Sequence, residues 1–299
     1  MEIVDVHHHL WDIERNFYPW LKEADHDRGW GDMSDLMRSY RPADLIADAA
    51  EAGVTLMKSV HVQANFDPAD PIGETRWLDE IAGEPQSCSL PSAIVGFADL
   101  SAPNLLTVLE GHTRFSRVRG VRQVLNRHPD PRLNRAPRDF LEDGNWRNGF
   151  AKLARFGLVF DAQIYHHQGA GLAELARRHP EIPVVLDHAG MPVQRDPDNL
   201  EGWRRAITEL ATVPNITVKI SGFGMVDNTW TTDSIRPFVR HCIECFGPER
   251  SMFGSNFPVD RLMATYGRIW NSYADITSDL SESERHSLFR GTAERIYRI

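Results

Sequence analysis

Short apolar runs rich in β-branched residues alternate with amphipathic helical runs along the whole chain. This alternation constrains the fold more than any other feature, because it is typical of a parallel sheet built from βα units. The eight predicted strands are Ile3–His7, Leu56–Val62, Ala93–Phe97, Gly120–Leu125, Leu158–Ile164, Pro183–Asp187, Ile216–Ile220 and Arg250–Phe253. A chain of 299 residues suits a single eight-stranded barrel, a fold that takes about 250 residues. We therefore predict an α/β fold, a (β/α)8 TIM barrel forming one domain over residues 1–299.

The predicted helices fill the intervals between these strands. They are 42–52, 74–82, 102–113, 145–156, 171–179, 200–211, 234–246 and 264–276, followed by a final helical segment at 281–297. Gly53, Gly157 and Gly247 stand just past helical patterns, where a left-handed residue commonly ends a helix.

Two inserted loops interrupt the regular alternation, one after strand 1 (residues 12–40) and one after strand 4 (residues 126–143). Both are too long for ordinary βα connections. Both also leave the C-terminal ends of strands, where barrel enzymes keep their active sites. The aromatic residues Trp11, Tyr18, Trp20 and Trp30 of the first loop either stack on a substrate or, as we favour, pack against the barrel rim.

Composition and charge indicate which kinds of binding partner the protein can have. The formal net charge of −9 argues against a nucleic-acid surface. No apolar run approaches the roughly 20 residues of a membrane span, and no signal-peptide pattern opens the chain. The expectation is a soluble, cytoplasmic protein that acts on a small-molecule substrate, with no nucleic-acid or membrane partner and with homo-oligomer formation left open.

The cysteine pattern favours a structural role. The three cysteines, Cys88, Cys242 and Cys245, make an odd number, which is a poor disulfide framework. The pair Cys242 and Cys245 matches C-x-x-C, but it lies inside an amphipathic helical pattern. We therefore interpret it as core packing in preference to a redox or zinc site.

The first predicted strand runs directly into three consecutive histidines, His7, His8 and His9. Strand alternation places Asp5, His7 and His9 on one face. Imidazoles about 7 Å apart on one face can converge on a metal ion, a carbonyl group or a water molecule. A purification tag would also be a histidine run, but the apolar frame that continues into Leu10 and Trp11 argues against a tag.

Polar residues collect at the C-terminal ends of all eight predicted strands. They are His7, His9, His61, Gln63, Arg119, Arg122, Gln123, Gln163, Tyr165, His166, His167, Asp187, His188, Lys219, Ser221, Ser255, Asn256 and Asp260. Each alone is more often a turn former or a helix cap, but together they favour an enzyme. The chain lacks a G-x-S-x-G elbow, a G-x-G-x-x-G turn after strand 1 and a Walker A loop, so the usual signals for serine hydrolysis and nucleotide binding are missing.

Histidines, arginines and a tyrosine at one barrel mouth suit polarisation of a carbonyl group, binding of an anionic substrate and attack by water. The arginines after strand 4 could bind a carboxylate, and the alternative interpretation is that they serve surface solubility. Arg119 and Arg122 lie three residues apart on one strand, so only one of them can point into the barrel.

In its motifs the chain resembles the amidohydrolase superfamily, in the branch of TIM-barrel hydrolases that contains pyrone-dicarboxylate and sugar lactonases. The matching stretches run from Asp5-Val6-His7-His8-His9 to Ala293-Glu294-Arg295-Ile296-Tyr297, and they include 60–64, 120–122, 164–165, 186–192, 218–222 and 252–259. The resemblance implies that His7, His9 and His188 either polarise a lactone carbonyl or hold a metal ion. It also implies that Arg122, which we take as the inward-pointing arginine, binds substrate with Tyr165; we add Gln63 and Asp260 to the predicted substrate-binding residues.

One position departs from the family pattern. Where the resemblance implies an aspartate that activates the hydrolytic water, this chain has Asn256. An amide cannot take a proton at neutral pH, so Asn256 can position a water molecule but cannot be its base. His9, His188 and Asp260 remain as candidate bases. The loss of a carboxylate also weakens a metal site, although three neutral imidazoles can still hold zinc or manganese, and we leave a divalent metal cofactor open.

The leading hypothesis is a hydrolase that opens a small lactone, carboxylated or polyhydroxylated, by attack of water on a carbonyl polarised by histidine, with His7, His9, His188 and Asn256 as catalytic residues. The alternatives are a metal-dependent decarboxylase of the same superfamily and a catalytically inactive barrel that binds a metabolite.

Overall fold

The structure is a computed structural model that describes residues 1–22 and 32–299. Its eight strands are β1 (Glu2–His8), β2 (Thr55–Val62), β3 (Ala93–Phe97), β4 (Val118–Val124), β5 (Val159–Gln163), β6 (Val184–Leu186), β7 (Ile216–Ile220) and β8 (Ser251–Phe253). They form one sheet in the order of the sequence, and each neighbouring pair is parallel. The predicted (β/α)8 barrel is therefore confirmed.

The barrel is nearly closed between its first and last strands. The amide of Asn256, just after β8, donates to the carbonyl oxygen of His7 over 2.7 Å, and the amide of His9 donates to the carbonyl oxygen of Phe257 over 2.7 Å. The residues that link the first strand to the last are therefore His7 and His9 of the histidine run.

Helices surround the barrel in the expected alternation. They are α1 (Pro19–Lys22), α2 (Pro42–Glu51), α3 (Gly73–Ala82), α4 (Leu105–Thr113), α5 (Gly144–Ala151), α6 (Gly169–Arg178), α7 (Pro197–Ala211), α8 (Thr232–Phe246), α9 (Tyr266–Ile276), α10 (Glu282–His286) and α11 (Thr292–Tyr297). The predicted final helix is divided by a π-helical turn at Ser287–Gly291. Gly53, Gly157 and Gly247 all have positive φ, as predicted. No helix in the described ranges is long and apolar enough to cross a membrane.

The apolar core has two parts. A large cluster lies between the strands and the outer helices. A smaller cluster fills the barrel interior with side chains such as Val4, Val60 and Val185, and it includes Ala293 and Tyr297 of α11. The last helix therefore contributes side chains to the inside of the barrel.

The alternation predicted for β1 is wrong at Asp5. The pairing of β1 with β2 shifts register between Asp5 and His8, and such a bulge interrupts strict alternation. The Asp5 carboxylate accepts hydrogen bonds from Ser255 and from Tyr266 of the outer helix α9. Asp5 therefore does not share a face with His7, whose ring lies beside Asp187.

The inserted loops after β1 and β4 are present, each with short helical turns. In the first loop, Trp11 donates to the carbonyl oxygen of Arg38 and Trp20 donates to the carbonyl oxygen of Ala64, while Tyr18 is buried. These contacts confirm packing against the rim for the described aromatic residues. Trp30 lies outside the described residues.

Cys242 is buried in the core on α8, as predicted, and Cys245 is half-buried one turn later.

Candidate active site

Three imidazoles meet at the C-terminal end of the barrel. The ring centre of His7 lies 5.2 Å from that of His9 and 4.3 Å from that of His188. All three side chains are buried. The sequence predicted this convergence from positions nearly 180 residues apart.

A hydrogen bond defines the proton position on His9, and a nearby carboxylate favours the same proton position on His7. Nδ1 of His9 lies 2.6 Å from the carbonyl oxygen of Val62, and a carbonyl can only accept, so Nδ1 carries the proton. Nδ1 of His7 lies 3.3 Å from Oδ1 of Asp187, which favours the same tautomer. Each ring then presents Nε2 as a lone pair.

The three imidazoles are neutral at neutral pH. Burial lowers the pKa of His7, His9 and His188 well below the ordinary value, and nearby positive charges add to the effect, chiefly Lys219 for His7 and Arg122 for His9. Neutral imidazoles with free Nε2 atoms can accept protons or bind a metal ion.

His188 differs from the other two rings because its partner is a hydroxyl group. Nδ1 of His188 lies 2.9 Å from Oγ of Ser221, which can either donate or accept. The residue has a φ of +53°, a strained conformation of the kind that collects at functional sites. Gly222, also with positive φ, leaves no room for a side chain, because a Cβ there would lie 2.4 Å from Nδ1 of His188.

The turn after β8 is held by a buried network. Asp5 accepts from the amide and the hydroxyl of Ser255 over 2.9 and 2.6 Å, and from the Tyr266 hydroxyl over 3.0 Å. The next residue, Asn256, has a φ of +58°. Its Nδ2 donates to Oδ1 of Asp260 over 2.8 Å. The turn thus couples the asparagine to a carboxyl group four residues later.

Asp260 titrates near neutrality. Burial raises its pKa to about 7, against the lowering effect of the hydrogen bonds from Asn256 and from the Gly224 amide. A carboxyl group with a pKa close to the working pH is suited to general acid–base catalysis.

Arg122 points into the barrel and Arg119 does not, as predicted. The Arg122 guanidinium donates to Oε1 of Gln163 over 2.9 Å and to the carbonyl oxygen of Gln63 over 2.6 Å, and it is 4% exposed. Arg119 binds carbonyl groups near the opposite end of the barrel, among them that of Arg298.

Gln63 and Tyr165 shape the walls of the site. The Gln63 side chain accepts a hydrogen bond from the amide of Asn65. Gln63 contacts Arg122 through its main-chain carbonyl oxygen and not through its side chain. The Tyr165 hydroxyl donates to the carbonyl oxygen of Leu133 over 2.7 Å, which ties β5 to the inserted loop after β4. Both residues border the mouth, and their binding of substrate stays a prediction.

His61, by contrast, faces the outer helices. Its Nδ1 accepts from the amide of Leu10, and its Nε2 lies 3.6 Å from Glu74 of α3. A strand-end histidine can point either way, and the sequence pattern alone did not separate His61 from His7.

Sequence reasoning gave no role to Asp161, Asp187 or Lys219. The three are buried together below the imidazoles. Asp161 lies within its strand and not at the strand end, so a search of strand ends alone could not find it. Asp187 and Lys219 were among the polar residues at strand ends, but the sequence did not show which residues they contact.

A divalent metal ion fits the donor types. His7 and His9 each have Nδ1 facing an oxygen and Nε2 free, which is the usual arrangement of metal-ligating histidines. As the side chains stand, however, no three His, Cys, Asp or Glu residues in the described ranges are placed to share an ion. Binding would therefore require side-chain movements of His7, His9 and His188.

One cavity of the molecule lies away from these side chains. It has a volume of about 340 Å³ and is bordered by Asp48, Phe257, Arg261 and Tyr266, outside the ring of imidazoles. The convergence of functional groups, and not cavity size, identifies the candidate site.

A parallel α/β barrel with ionisable side chains gathered at the C-terminal strand ends defines the class of barrel enzymes. Within that class the chain belongs to the amidohydrolase family, whose sequence profile matches residues 4–299.

The chain is similar along its length to several known proteins. It is 42% identical to an uncharacterised protein of Sinorhizobium fredii, over 99% of this chain and 98% of the relative. It is 32% identical to an L-fucono-1,5-lactonase of Burkholderia multivorans, over 99% and 96% of the two chains. Among solved structures, an amidohydrolase of Burkholderia multivorans with bound zinc is 29% identical, with full coverage of both chains and a TM-score of 0.80.

Proposed function

We propose that the protein hydrolyses a small lactone that carries several hydroxyl groups or a carboxylate. The observation that carries this proposal is the meeting of three neutral imidazoles with a buried guanidinium and a carboxyl group of near-neutral pKa at one barrel mouth. The similarity to lactonases that act on sugar-acid lactones supports the substrate class.

The proposed roles follow from the tautomers. His188 can donate from Nε2 to the lactone carbonyl when the Ser221 hydroxyl donates to its Nδ1. His7 and His9 present lone pairs and are not donors at Nε2, so they accept hydrogen bonds from substrate hydroxyls or from the attacking water. Arg122 binds the anionic or oxygen-rich part of the substrate.

Asn256 and Asp260 divide the task that a single aspartate would perform. The side-chain oxygen of Asn256 positions the attacking water, and Asp260 takes the proton of that water. The hydrogen bond between the two side chains keeps them next to each other. Protonated Asp260 then returns the proton to the leaving alkoxide as the ring opens.

If a divalent ion is bound, Nε2 of His7, His9 and His188 would hold it. Such an ion would supply a Lewis acid that polarises the carbonyl group. The roles of Asn256, Asp260 and Arg122 in binding and proton transfer stay the same in either case.

A panel of lactones with a pH indicator tests the proposal. It should contain aldono-1,5-lactones, aldono-1,4-lactones and carboxylated pyrone and muconate lactones, each with and without added zinc or manganese and each after chelation. We expect turnover of at least one class. Absence of turnover in every arm would refute lactone hydrolysis.

The substitution Asn256→Asp separates an enzyme from an inactive binding protein. A second carboxylate next to Asp260 would repel it and raise the pKa of the pair, so an enzyme built around Asn256 should lose activity at pH 7. The matched control is Asn145→Asp on the exposed start of α5, which should be neutral. A gain of activity in Asn256→Asp would favour the inactive barrel.

A further inference from the structure

A buried polar column runs from the bottom of the barrel towards the imidazoles. Nζ of Lys219 on β7 lies 2.5 Å from Oδ2 of Asp161 on β5. The hydroxyl of Tyr297, from the last helix, donates to the same carboxylate over 2.9 and 3.1 Å. All three side chains are fully buried.

Stability alone does not account for charges at this depth. Removing a lysine and an aspartate from water carries a large desolvation penalty, and apolar residues of similar volume often stabilise a core as well or better. The apolar neighbours inside the barrel are mostly valines, so an apolar filling would suit the surroundings. The column therefore has a candidate role beyond packing.

Its upper end is Asp187. Oδ1 of Asp187 lies 3.7 Å from Nζ of Lys219 and 3.3 Å from Nδ1 of His7, while Oδ2 lies 3.9 Å from the guanidinium of Arg122. Within the described chain neither oxygen has a hydrogen-bond partner. The orientation of this carboxylate thus depends on the two cations beside it.

We propose that Lys219 is a positioning residue: it holds Asp187 in the orientation that keeps the proton of His7 on Nδ1, and Asp161 with Tyr297 holds Lys219 in place. The inference rests on the proposed function, since it concerns the same site. It assigns the last helix a part in ordering the active site at the other end of the barrel.

Three variants test the column. Lys219→Met removes the cation but leaves Asp161 buried without its partner, which is strongly destabilising. The double variant Lys219→Met/Asp161→Asn removes both charges together and should keep the fold. Tyr297→Phe keeps both charges and removes only the hydroxyl. The matched control is Lys58→Met on β2, whose side chain is 35% exposed and pairs with Glu294.

Two measurements apply to each variant. The ¹⁵N NMR signals of the imidazoles report the tautomer of His7, assigned by their loss in His7→Gln. Kinetics on the lactone found to be a substrate report kcat and KM separately. In the double variant we expect His7 to become a mixture of tautomers and kcat to fall about 10- to 100-fold, with KM changed much less. Tyr297→Phe should shift both in the same direction by a smaller factor, and Lys58→Met should shift neither.

An unchanged His7 tautomer and an unchanged kcat in the folded double variant would overturn the proposal and leave the column a structural feature. If the double variant does not fold, Tyr297→Phe is the deciding variant. An unchanged His7 signal and an unchanged kcat in Tyr297→Phe would then overturn the proposal. If the wild-type protein opens no lactone, the proposed function fails, but the NMR measurement still decides the role of Lys219.

Discussion

Asp260 shows how burial changes the chemistry of one side chain. Its pKa of about 7 lies well above the ordinary 3.8, so the folded protein holds this proton between pH 4 and 7 while the unfolded chain does not. The free energy of unfolding therefore falls as the pH rises through that range, by about 4 kcal/mol at most from this group.

We expect kcat/KM to rise with pH through about 7, because the proposed base must be ionised. Asp260→Asn should lower kcat by about 100-fold or more and remove the ascending limb of the pH–rate profile. It should also be more stable than the wild type at pH 8, as measured by urea denaturation. A variant with the wild-type profile would exclude Asp260 as the base.

Arg122 allows a test of the substrate's charge. Arg122→Met should raise KM for a carboxylated lactone roughly 10- to 100-fold, the value of a charge-assisted hydrogen bond, and change KM for a neutral lactone little. Arg119→Met, on the same strand but outside the site, is the control and should change neither. Equal losses for both lactones would remove the assigned role of Arg122.

At the scale of elements, the turn after β7 sets the position of His188. Gly222 has a φ of +68°, and a Cβ there would meet the imidazole, whereas Gly53 has a φ of +67° with open space around it. Both substitutions to alanine cost the same backbone strain, but only one also displaces a candidate catalytic ring.

We therefore expect Gly53→Ala to lower the free energy of unfolding by about 1 kcal/mol without loss of activity. Gly222→Ala should lose more stability, and its kcat should fall at least tenfold because His188 must move. Thermal denaturation and kinetics on both variants provide the check. Equal activity in the two would mean that the turn does not position His188.

At the scale of the whole molecule, the last helix seals the barrel. Tyr297 is fully buried among the side chains of the barrel interior, so Tyr297→Ala should lower the free energy of unfolding by about 3–5 kcal/mol. The exposed neighbour supplies the control, and Arg298→Ala should lie within about 0.5 kcal/mol of the wild type. Urea denaturation of both variants measures the difference; a wild-type midpoint for Tyr297→Ala would show that the helix is dispensable.

Much of the fold was predictable at this scale, because the alternation of apolar and amphipathic runs is set by local periodicity. All eight strands were found, with ends displaced by at most two residues, and strand alternation limited the inward-pointing arginine to Arg119 or Arg122. The bulge in β1 was not predictable, since it arises from pairing with β2 and with the turn after β8. Because of this bulge, Asp5 points outward and accepts hydrogen bonds from Ser255 and Tyr266, while His7 points into the barrel.

The sequence by itself determined the barrel, the two inserted loops and the set of polar groups at the strand ends, because each depends on residue type and local spacing. Only the tertiary structure decided which of those groups act together. It turned His61 towards α3, joined Asn256 to Asp260, and set Asp187 between His7 and Lys219. These relations, and the pKa shifts that follow from them, depend on burial and on contacts between distant strands, which no local pattern records.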